Sequence, residues 1–242
     1  MSDAPSNIPR WGNQDRERKA AAVFTTLQGF STFDLTAARW LDIGCGSGEI
    51  AATLAAQVAQ VAGIDPQPWP QWANLMHEHP NLRLIQGGYD TDPMAADSVD
   101  VVVCNQVYEH VPDPVRLISF IHKVLRPGGI VYFAGPNLLF PVEPHTLWPF
   151  IHWLPRRFAV GLMRACGSQK LLDAYSVSYW RLRAWLAGFE ATNAVPYILR
   201  HPADFHPTSL AWRSLAVMPT PLLDTLTFLS PGFVFVLTKR QT

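Results

Sequence analysis

The stretch LDIGCGSG at residues 41–48 follows a short apolar run and precedes an alanine-rich segment. This pattern predicts a buried strand, a glycine loop and a helix, in that order. Glycines in such a loop let the backbone turn tightly and approach a ligand without interference from a Cβ atom. The helix that follows would offer free N–H groups and a partial positive charge to that ligand.

A second apolar run, QVAGID at 60–65, ends on Asp65. A carboxylate there can accept hydrogen bonds from both ribose hydroxyls of a nucleoside. A GxG turn with an acid about 20 residues further on serves either a dinucleotide or S-adenosylmethionine. The third glycine favours S-adenosylmethionine, because the spacing is GxGxG and Glu49 stands where a GxGxxG pattern has its last glycine.

The rest of the chain alternates apolar runs with amphipathic segments, which predicts βαβ units and a doubly wound sheet. The unbroken valines in SVDVVVCN at 98–105 indicate a strand that is buried on both faces. Asp113 and Pro114 suit the N-cap and first position of a helix whose apolar stripe is stopped by PGG at 127–129. The other expected elements are helices at 13–30, 49–59, 70–79 and 176–188 and strands at 39–44, 82–87, 129–136, 189–197 and 231–239.

The composition is that of one globular domain spanning 1–242. The chain carries 19 basic and 19 acidic residues, which disfavours a nucleic acid as its main partner. Its three cysteines form no CxxC pair, and no HExxH motif is present, so we expect neither a disulfide framework nor a bound metal. The first residues lack the apolar segment of a signal peptide, so we expect a cytoplasmic protein.

Taken together, these motifs resemble those of the class I S-adenosylmethionine-dependent methyltransferases. LDIGCGSGEIA resembles that family's first motif, GIDP resembles the second, and 82–137 resembles the stretch from the third to the fifth strand. The likeness covers a core at about 38–137 and is greatest to the branch that contains ubiquinone-biosynthesis O-methyltransferases and glycan- or lipid-modifying relatives. It implies a seven-stranded α/β sheet in the order 3-2-1-4-5-7-6, with the last strand antiparallel and helices on both faces.

The resemblance also implies which residues bind S-adenosylmethionine. They are Asp42, Gly44, Cys45, Gly46, Gly48, Asp65, Pro66, Gln67, Gly88, Tyr89, Asp90, Asn105 and Gln106. The loop glycines would pass under the methionine part, Asp42 would order its ammonium group and Asp65 would hold the ribose. Asn105 and Gln106 would line the floor beneath the sulfonium.

The adenine end departs from the family pattern. Pro66 and Gln67 are expected near the adenine, but the Gly-Asp that often follows the third strand is replaced by GGYD at 87–90. We therefore expect Tyr89 or Asp90 to take over the contact with the adenine amine.

Two histidines are candidate catalytic bases. Methyl transfer from a sulfonium mainly requires an aligned, dry acceptor, and a base is needed only if the acceptor loses a proton. His110 follows the fourth strand at the ligand-binding edge and is either a base or a residue that orients the loop. His145 lies after the fifth strand and is either a base or part of lid packing.

The stretch 136–172 is rich in proline and aromatic residues and is predicted to be a lid inserted after the fifth strand. A second cover over the acceptor is expected at 198–230. If 156–166 is helical, one face holds Phe158, Leu162, Met163 and Cys166. A basic amphipathic helix indicates either an ordinary lid or, through 145–170, contact with a membrane, a lipid carrier or a phosphate-bearing acceptor.

The leading hypothesis is a methyltransferase, cytoplasmic or peripheral to the inner face of the membrane, that acts on a small molecule. The methylated atom is expected to be an oxygen of a phenolic or quinone-like, glycan or lipid-linked acceptor, with nitrogen as the second choice. An NAD-dependent oxidoreductase, a non-catalytic S-adenosylmethionine-binding subunit and a protein methyltransferase remain open at this point.

Overall fold

The computed structural model describes residues 13–170, 172–205 and 210–240. Seven strands form one sheet in the order β3-β2-β1-β4-β5-β7-β6. Strand β7 is antiparallel to β5 and β6, and the other neighbours are parallel, so the predicted topology is confirmed. The strands are β1 Arg39–Ile43, β2 Gln60–Asp65, β3 Leu82–Gln86, β4 Val99–Asn105, β5 Leu125–Pro136, β6 Phe189–Asn193 and β7 Gly232–Lys239.

Helices cover both faces of the sheet. In the described ranges they are α1 Asn13–Gln28, α2 Glu49–Ala55, α3 Trp72–Glu78, α4 Pro114–Val124, α5 Arg156–Ala165, α6 Tyr179–Trp185, α7 Val195–Arg200, α8 Pro202–Phe205, α9 Leu210–Ala216 and α10 Thr220–Leu226. Single 3₁₀ turns occur at Ile151–Trp153, Leu186–Gly188 and Thr227–Leu229. Among the helices described, none combines the length and the apolar character needed to cross a bilayer.

Strand β4 explains why the sheet has a core on each side. Val101 and Val103 belong to the cluster formed with α1, α2 and α3, whereas Val102 and Cys104 belong to the cluster formed with α4 and α6. All four side chains are fully buried. The prediction that this strand is buried on both faces is therefore confirmed, because successive side chains of a strand point to opposite faces.

Helix α4 begins as predicted but ends earlier. The side chain of Asp113 accepts a hydrogen bond from the Arg116 N–H at 3.0 Å, and Pro114 occupies the first helical position. The helix ends at Val124, and Leu125 already has extended dihedral angles and pairs with Val99. The expectation that PGG at 127–129 stops the helix is wrong, because the chain has already entered β5 there.

The predicted strand at 189–197 is wrong in its second half. Strand β6 ends at Asn193, whose side-chain oxygen accepts a hydrogen bond from the Val195 N–H at 3.1 Å and so leads into α7. Pro196 lies in the first turn of that helix, where it needs no N–H partner. The expected cover at 198–230 consists of short helices, with 206–209 outside the described residues.

The insertion at 136–172 has a small core of its own, formed by Ile151, Ala159, Met163 and Leu172, while residue 171 lies outside the described ranges. Residues 156–165 are helical, as predicted, but the four residues expected on one face do not share it. Met163 is buried, whereas Phe158, Leu162 and Cys166 are exposed. The cause is helical geometry, since five residues turn the chain by about 140°.

Candidate active site

The glycine loop lies at the carboxyl ends of β1 and β2. Gly44, Gly46 and Gly48 all have positive φ, at 69°, 51° and 84°. A Cβ atom at Gly44 would come within 2.8 Å of a methyl carbon of Val107, whereas at Gly46 it would meet no described atom within 4 Å. The loop therefore needs glycine for its backbone conformation, and its Gly46 surface is open to a ligand.

Asp65 is fixed against this loop. Its two carboxylate oxygens accept hydrogen bonds from the N–H groups of Gly46 and Gln67, each at 2.9 Å. The Trp72 indole donates to the Gly46 carbonyl oxygen at 2.9 Å and braces the same turn. Each carboxylate oxygen keeps a further lone pair, so Asp65 can also accept bonds from the two hydroxyls of a ribose.

Asp42 is a buried carboxylate with an unsatisfied oxygen. The residue is 4% exposed, and its Oδ2 accepts no hydrogen bond from the described part of the chain. Burial, and then the negative charge of Asp65, raise the pKa of Asp42 to about 7. An ammonium group of a ligand would satisfy this oxygen, which is the fit expected for the methionine end of the cofactor.

Arg16 is a site residue that no sequence motif indicated. It projects from α1 and places its Nε 2.7 Å from a carboxylate oxygen of Glu49, at the start of α2. Its charge also lowers the pKa of Asp42, against the larger effects of burial and Asp65. A cation at this point suits the carboxylate of a methionine moiety, but the sequence showed only a charged residue in an amphipathic helix.

A cavity of about 460 Å³ lies at the carboxyl end of β4. Four predicted residues meet there, although 145 is distant from the others in sequence. The residues that line it are Lys19, Ala22, Val23, Asn105, Gln106, His110, Tyr132, Pro144 and His145. Gln106 has a φ of 58°, which is uncommon for a residue other than glycine and is frequent at functional sites.

Glu109 lies between the two histidines, and no sequence motif indicated it as a site residue. It is fully buried, and neither of its carboxylate oxygens has a hydrogen-bond partner among the described residues. Its Oε1 lies 3.9 Å from His110 Nε2 and 3.7 Å from His145 Nε2. The two imidazole rings are 5.3 Å apart and nearly perpendicular.

Glu109 changes the acidity of His145 in particular. The carboxylate raises the pKa of His145, and this outweighs burial, which lowers it. His145 is the less accessible of the two histidines, with 21% of its side chain exposed against 36% for His110. A buried carboxylate beside a half-buried imidazole is an arrangement that can hold a proton on the ring.

Local contacts explain how Glu109 and His145 are brought together. The ring of Tyr108 stacks on Phe133, and its hydroxyl donates to the Pro136 carbonyl oxygen, which fixes the chain just before Glu109. Glu143 is buried and accepts hydrogen bonds from the N–H and the hydroxyl of Thr146 at 2.5 and 2.7 Å. That turn carries His145 over the end of β4.

These three side chains also make up a possible metal-binding group, which the sequence spacing did not indicate. One ligand atom from each of Glu109, His110 and His145 lies within 4.8 Å of the other two. Two imidazole nitrogens and a carboxylate oxygen are ligand types that suit a divalent transition metal. The expectation of no metal rested on sequence motifs, which do not detect ligands brought together by the fold.

The predicted adenine end is arranged around Asp65. Pro66 and Gln67 are exposed beside it. The Gly88 N–H donates to the Thr91 hydroxyl at 2.9 Å, which closes a turn after β3. Tyr89 packs partly into the core on the α4 side, whereas Asp90 is exposed. Asp90 is therefore the more accessible of the two predicted adenine contacts, and its role stays a prediction.

The chain is similar in sequence and fold to known methyltransferases. Residues 13–194 match the model of a family described as "Methyltransferase domain". The ubiquinone biosynthesis O-methyltransferase of Xanthomonas oryzae pv. oryzae (strain PXO99A) is 28% identical over 219 residues, covering 79% of this chain and 89% of that protein.

Two solved structures share the fold at low sequence identity. The (4+2)-cyclase SpnF has a TM-score of 0.58 at 18% identity, covering 98% of this chain and 86% of its own. The 1,6-didemethyltoxoflavin-N1-methyltransferase of Burkholderia thailandensis, with bound 1,6-didemethyltoxoflavin and S-adenosylhomocysteine, has a TM-score of 0.53 at 17% identity, covering 93% of this chain and 79% of its own. These two likenesses concern the fold alone, and the family match concerns the activity.

Proposed function

The chain belongs to the family of methyltransferase domains, and we propose that it methylates an oxygen atom of a phenolic or quinone-like, glycan or lipid-linked small molecule. It is an enzyme whose methyl donor is S-adenosylmethionine. The observation that supports an oxygen acceptor is the group of Glu109, His110 and His145 at the cavity beyond the glycine loop. A hydroxyl must lose its proton as it is methylated, and this group offers a base for that proton.

The donor supplies a methyl group on a positively charged sulfur, and the residues around it would bind and orient it. In this proposal Asp42 holds the ammonium group, Arg16 attracts the carboxylate and Asp65 accepts the ribose hydroxyls. The backbone of 44–48 would hold the methionine part, and Asn105 and Gln106 would line the space around the sulfonium.

His145 is the proposed base, and Glu109 is the residue that positions it. One nitrogen of the His145 ring faces the Glu109 carboxylate at 3.7 Å, which leaves the other nitrogen for the acceptor hydroxyl. Once the ring has taken the proton, the buried carboxylate stabilises its positive charge. His110 borders the same cavity and is more exposed, so we assign it to orienting the acceptor.

The experiment has two stages. Calorimetric titration with S-adenosylmethionine and with NAD, repeated on Asp65→Ala, is expected to show saturable S-adenosylmethionine binding that weakens in the variant. Methylation of catechols by wild type, His145→Gln and Glu109→Gln then tests the base. Full turnover in both variants would refute the base assignment, and binding without turnover on phenolic, glycan and lipid-linked acceptors would favour a non-catalytic subunit.

A chelator separates the base from a metal at the same residues. If His145 acts as a base, treating the wild-type enzyme with EDTA should leave turnover unchanged. Loss of turnover that is restored by a divalent cation would instead assign Glu109, His110 and His145 to metal binding.

A further inference from the structure

We propose that the insertion docks on an anionic lipid bilayer through a surface that we call the basic apolar surface. It consists of the exposed apolar side chains of Leu147, Phe150, Trp153, Leu154, Phe158 and Leu162 with the arginines Arg156, Arg157 and Arg164. This inference goes beyond methyl transfer and does not depend on which acceptor is methylated.

The apolar side chains of this surface remain exposed in the folded chain. Each of its six side chains is at least 42% exposed, although all lie within 16 residues of sequence. Helix α5 already has a buried face, on which Ala159 and Met163 are almost fully inaccessible. Phe158 and Leu162 therefore form a second apolar face, which a helix at a protein–water boundary would normally lack. Exposed apolar side chains at this density along the chain, with the rings of Phe150 and Trp153 5.0 Å apart, are typical of a contact site.

The surface is held by an ordered platform. Leu138 offers its carbonyl oxygen to the His152 ring and to the Trp153 indole, at 3.0 and 2.6 Å. The Lys170 ammonium donates to the Thr146 carbonyl oxygen at 2.7 Å and joins the two ends of the insertion. A prearranged surface loses less conformational entropy on binding than one that must first become ordered.

The charge of this segment complements an anionic surface. Residues 144–172 hold four basic residues and no acidic residue, in a chain whose 19 basic and 19 acidic residues cancel. Of the two flanking acids, Glu143 is buried, and Asp173 is exposed at the cavity that Arg156 and Arg164 also line. Within the described ranges, no carboxylate comes within 4.0 Å of Arg156, Arg157 or Arg164. Arginines beside exposed apolar and tryptophan side chains are suited to the headgroup region, with the apolar groups inserted below it.

A second copy of the chain is a poorer occupant for the same surface. Two such surfaces facing each other would bring three arginines of each copy together against one exposed acid, Asp173, of each, which opposes association. A bilayer supplies both the negative charge and the apolar interior.

Arg156 lies over the ring of Tyr175, 4.5 Å from its centre, and Tyr175 lines a second cavity that reaches His110. The docking surface therefore adjoins the proposed catalytic group.

Vesicle sedimentation tests the proposal. We expect the full chain to bind vesicles of phosphatidylcholine and phosphatidylglycerol, to bind pure phosphatidylcholine vesicles at least tenfold more weakly, and to lose binding at high salt. Phe158→Ser with Leu162→Ser should weaken binding about tenfold or more, and Arg156→Gln with Arg157→Gln should abolish the preference for phosphatidylglycerol. Val217→Ser, which changes an 84% exposed side chain elsewhere, is the control and should bind like wild type.

Several outcomes would overturn the inference. They are the absence of sedimentation with anionic vesicles at low salt, equal binding by the patch variants and wild type, or a dimer that Phe158→Ser with Leu162→Ser dissociates. If inorganic phosphate, at the same concentration of negative charge as the vesicles, displaced the protein from them, the surface would be a simple anion site instead. Circular dichroism and S-adenosylmethionine affinity should be unchanged in the patch variants, which shows that any loss of lipid binding is not a loss of folding.

Discussion

Two buried carboxylates, Asp42 and Glu109, lie at the same edge of the sheet beside the neighbouring strands β1 and β4. Each has an oxygen that receives no hydrogen bond from the described chain. Asp42 is surrounded by the glycine loop and Asp65, and its pKa is raised to about 7. Glu109 has two histidines within 4 Å, and its influence appears in the raised pKa of His145. In our proposal the positively charged partner of Asp42 comes from the ligand, whereas the partners of Glu109 are histidine side chains of the protein itself.

The largest expected effect is a loss of turnover in Glu109→Gln, which separates the role of Glu109 from that of Asp42. Replacing Glu109 with Gln keeps its shape but removes the charge that stabilises protonated His145, so we expect turnover to fall about 10²–10⁴-fold. The affinity for S-adenosylmethionine should stay within about twofold, since Glu109 is not assigned to the donor. Steady-state kinetics on a catechol and calorimetry measure the two quantities. An equal loss in donor affinity would show that the two carboxylates serve one site.

The converse substitution is Asp42→Asn. It removes the charge that faces the donor's ammonium group, so we expect S-adenosylmethionine affinity to fall roughly tenfold to hundredfold, as for a lost hydrogen bond to a charged group. Turnover at saturating donor should change little. Asp90→Asn is a useful comparison, because it alters an exposed carboxylate at the predicted adenine end. Wild-type donor affinity in Asp42→Asn would remove Asp42 from the donor site.

The two carboxylates also differ in how far the sequence predicted them. Asp42 stands inside a motif that is contiguous in sequence, so strand, loop and helix could be recognised together with Asp65. Glu109 works with His145, and the turn that joins them depends on Glu143 accepting two hydrogen bonds from Thr146. Glu109 and His145 are 36 positions apart in sequence, so no contiguous motif contains both of them.

The same distinction holds for the secondary structure. Strand β4 and the start of α4 were predicted because their signals are local, an unbroken apolar run and an N-cap. The end of β6 was missed, because a side-chain bond from the Val195 N–H to Asn193 starts α7 where the apolar pattern suggested more strand. The single face predicted for Phe158, Leu162, Met163 and Cys166 at α5 was wrong, because the pattern of apolar residues does not reveal which of two apolar sides is buried.

A smaller effect tests the protonation of Asp42. Since the pKa of Asp42 is about 7, its carboxyl group becomes increasingly protonated in the free protein as the pH falls below 7, and it must lose that proton to bind the donor's ammonium group. We therefore expect S-adenosylmethionine affinity to rise with pH by up to about tenfold per unit below pH 7 and to level off above it. Calorimetry in buffers of different ionisation enthalpy should detect a released proton near pH 6. In Asp42→Asn both the pH dependence and the released proton should disappear.

The smallest expected effect is a shift in the pH dependence of turnover. His145 acts as a base only when neutral, and Glu109 raises its pKa, so activity should fall as the pH drops through a midpoint above the ordinary value of histidine. In Glu109→Gln the largest effect that raises the pKa of His145 is gone, while the burial that lowers it and the smaller raising effects of Glu143 and Asp173 remain. The acid midpoint should therefore move to lower pH in the residual activity of the variant. An unchanged midpoint would mean that another group limits the reaction in acid, and His145 would then be left with lid packing as its role.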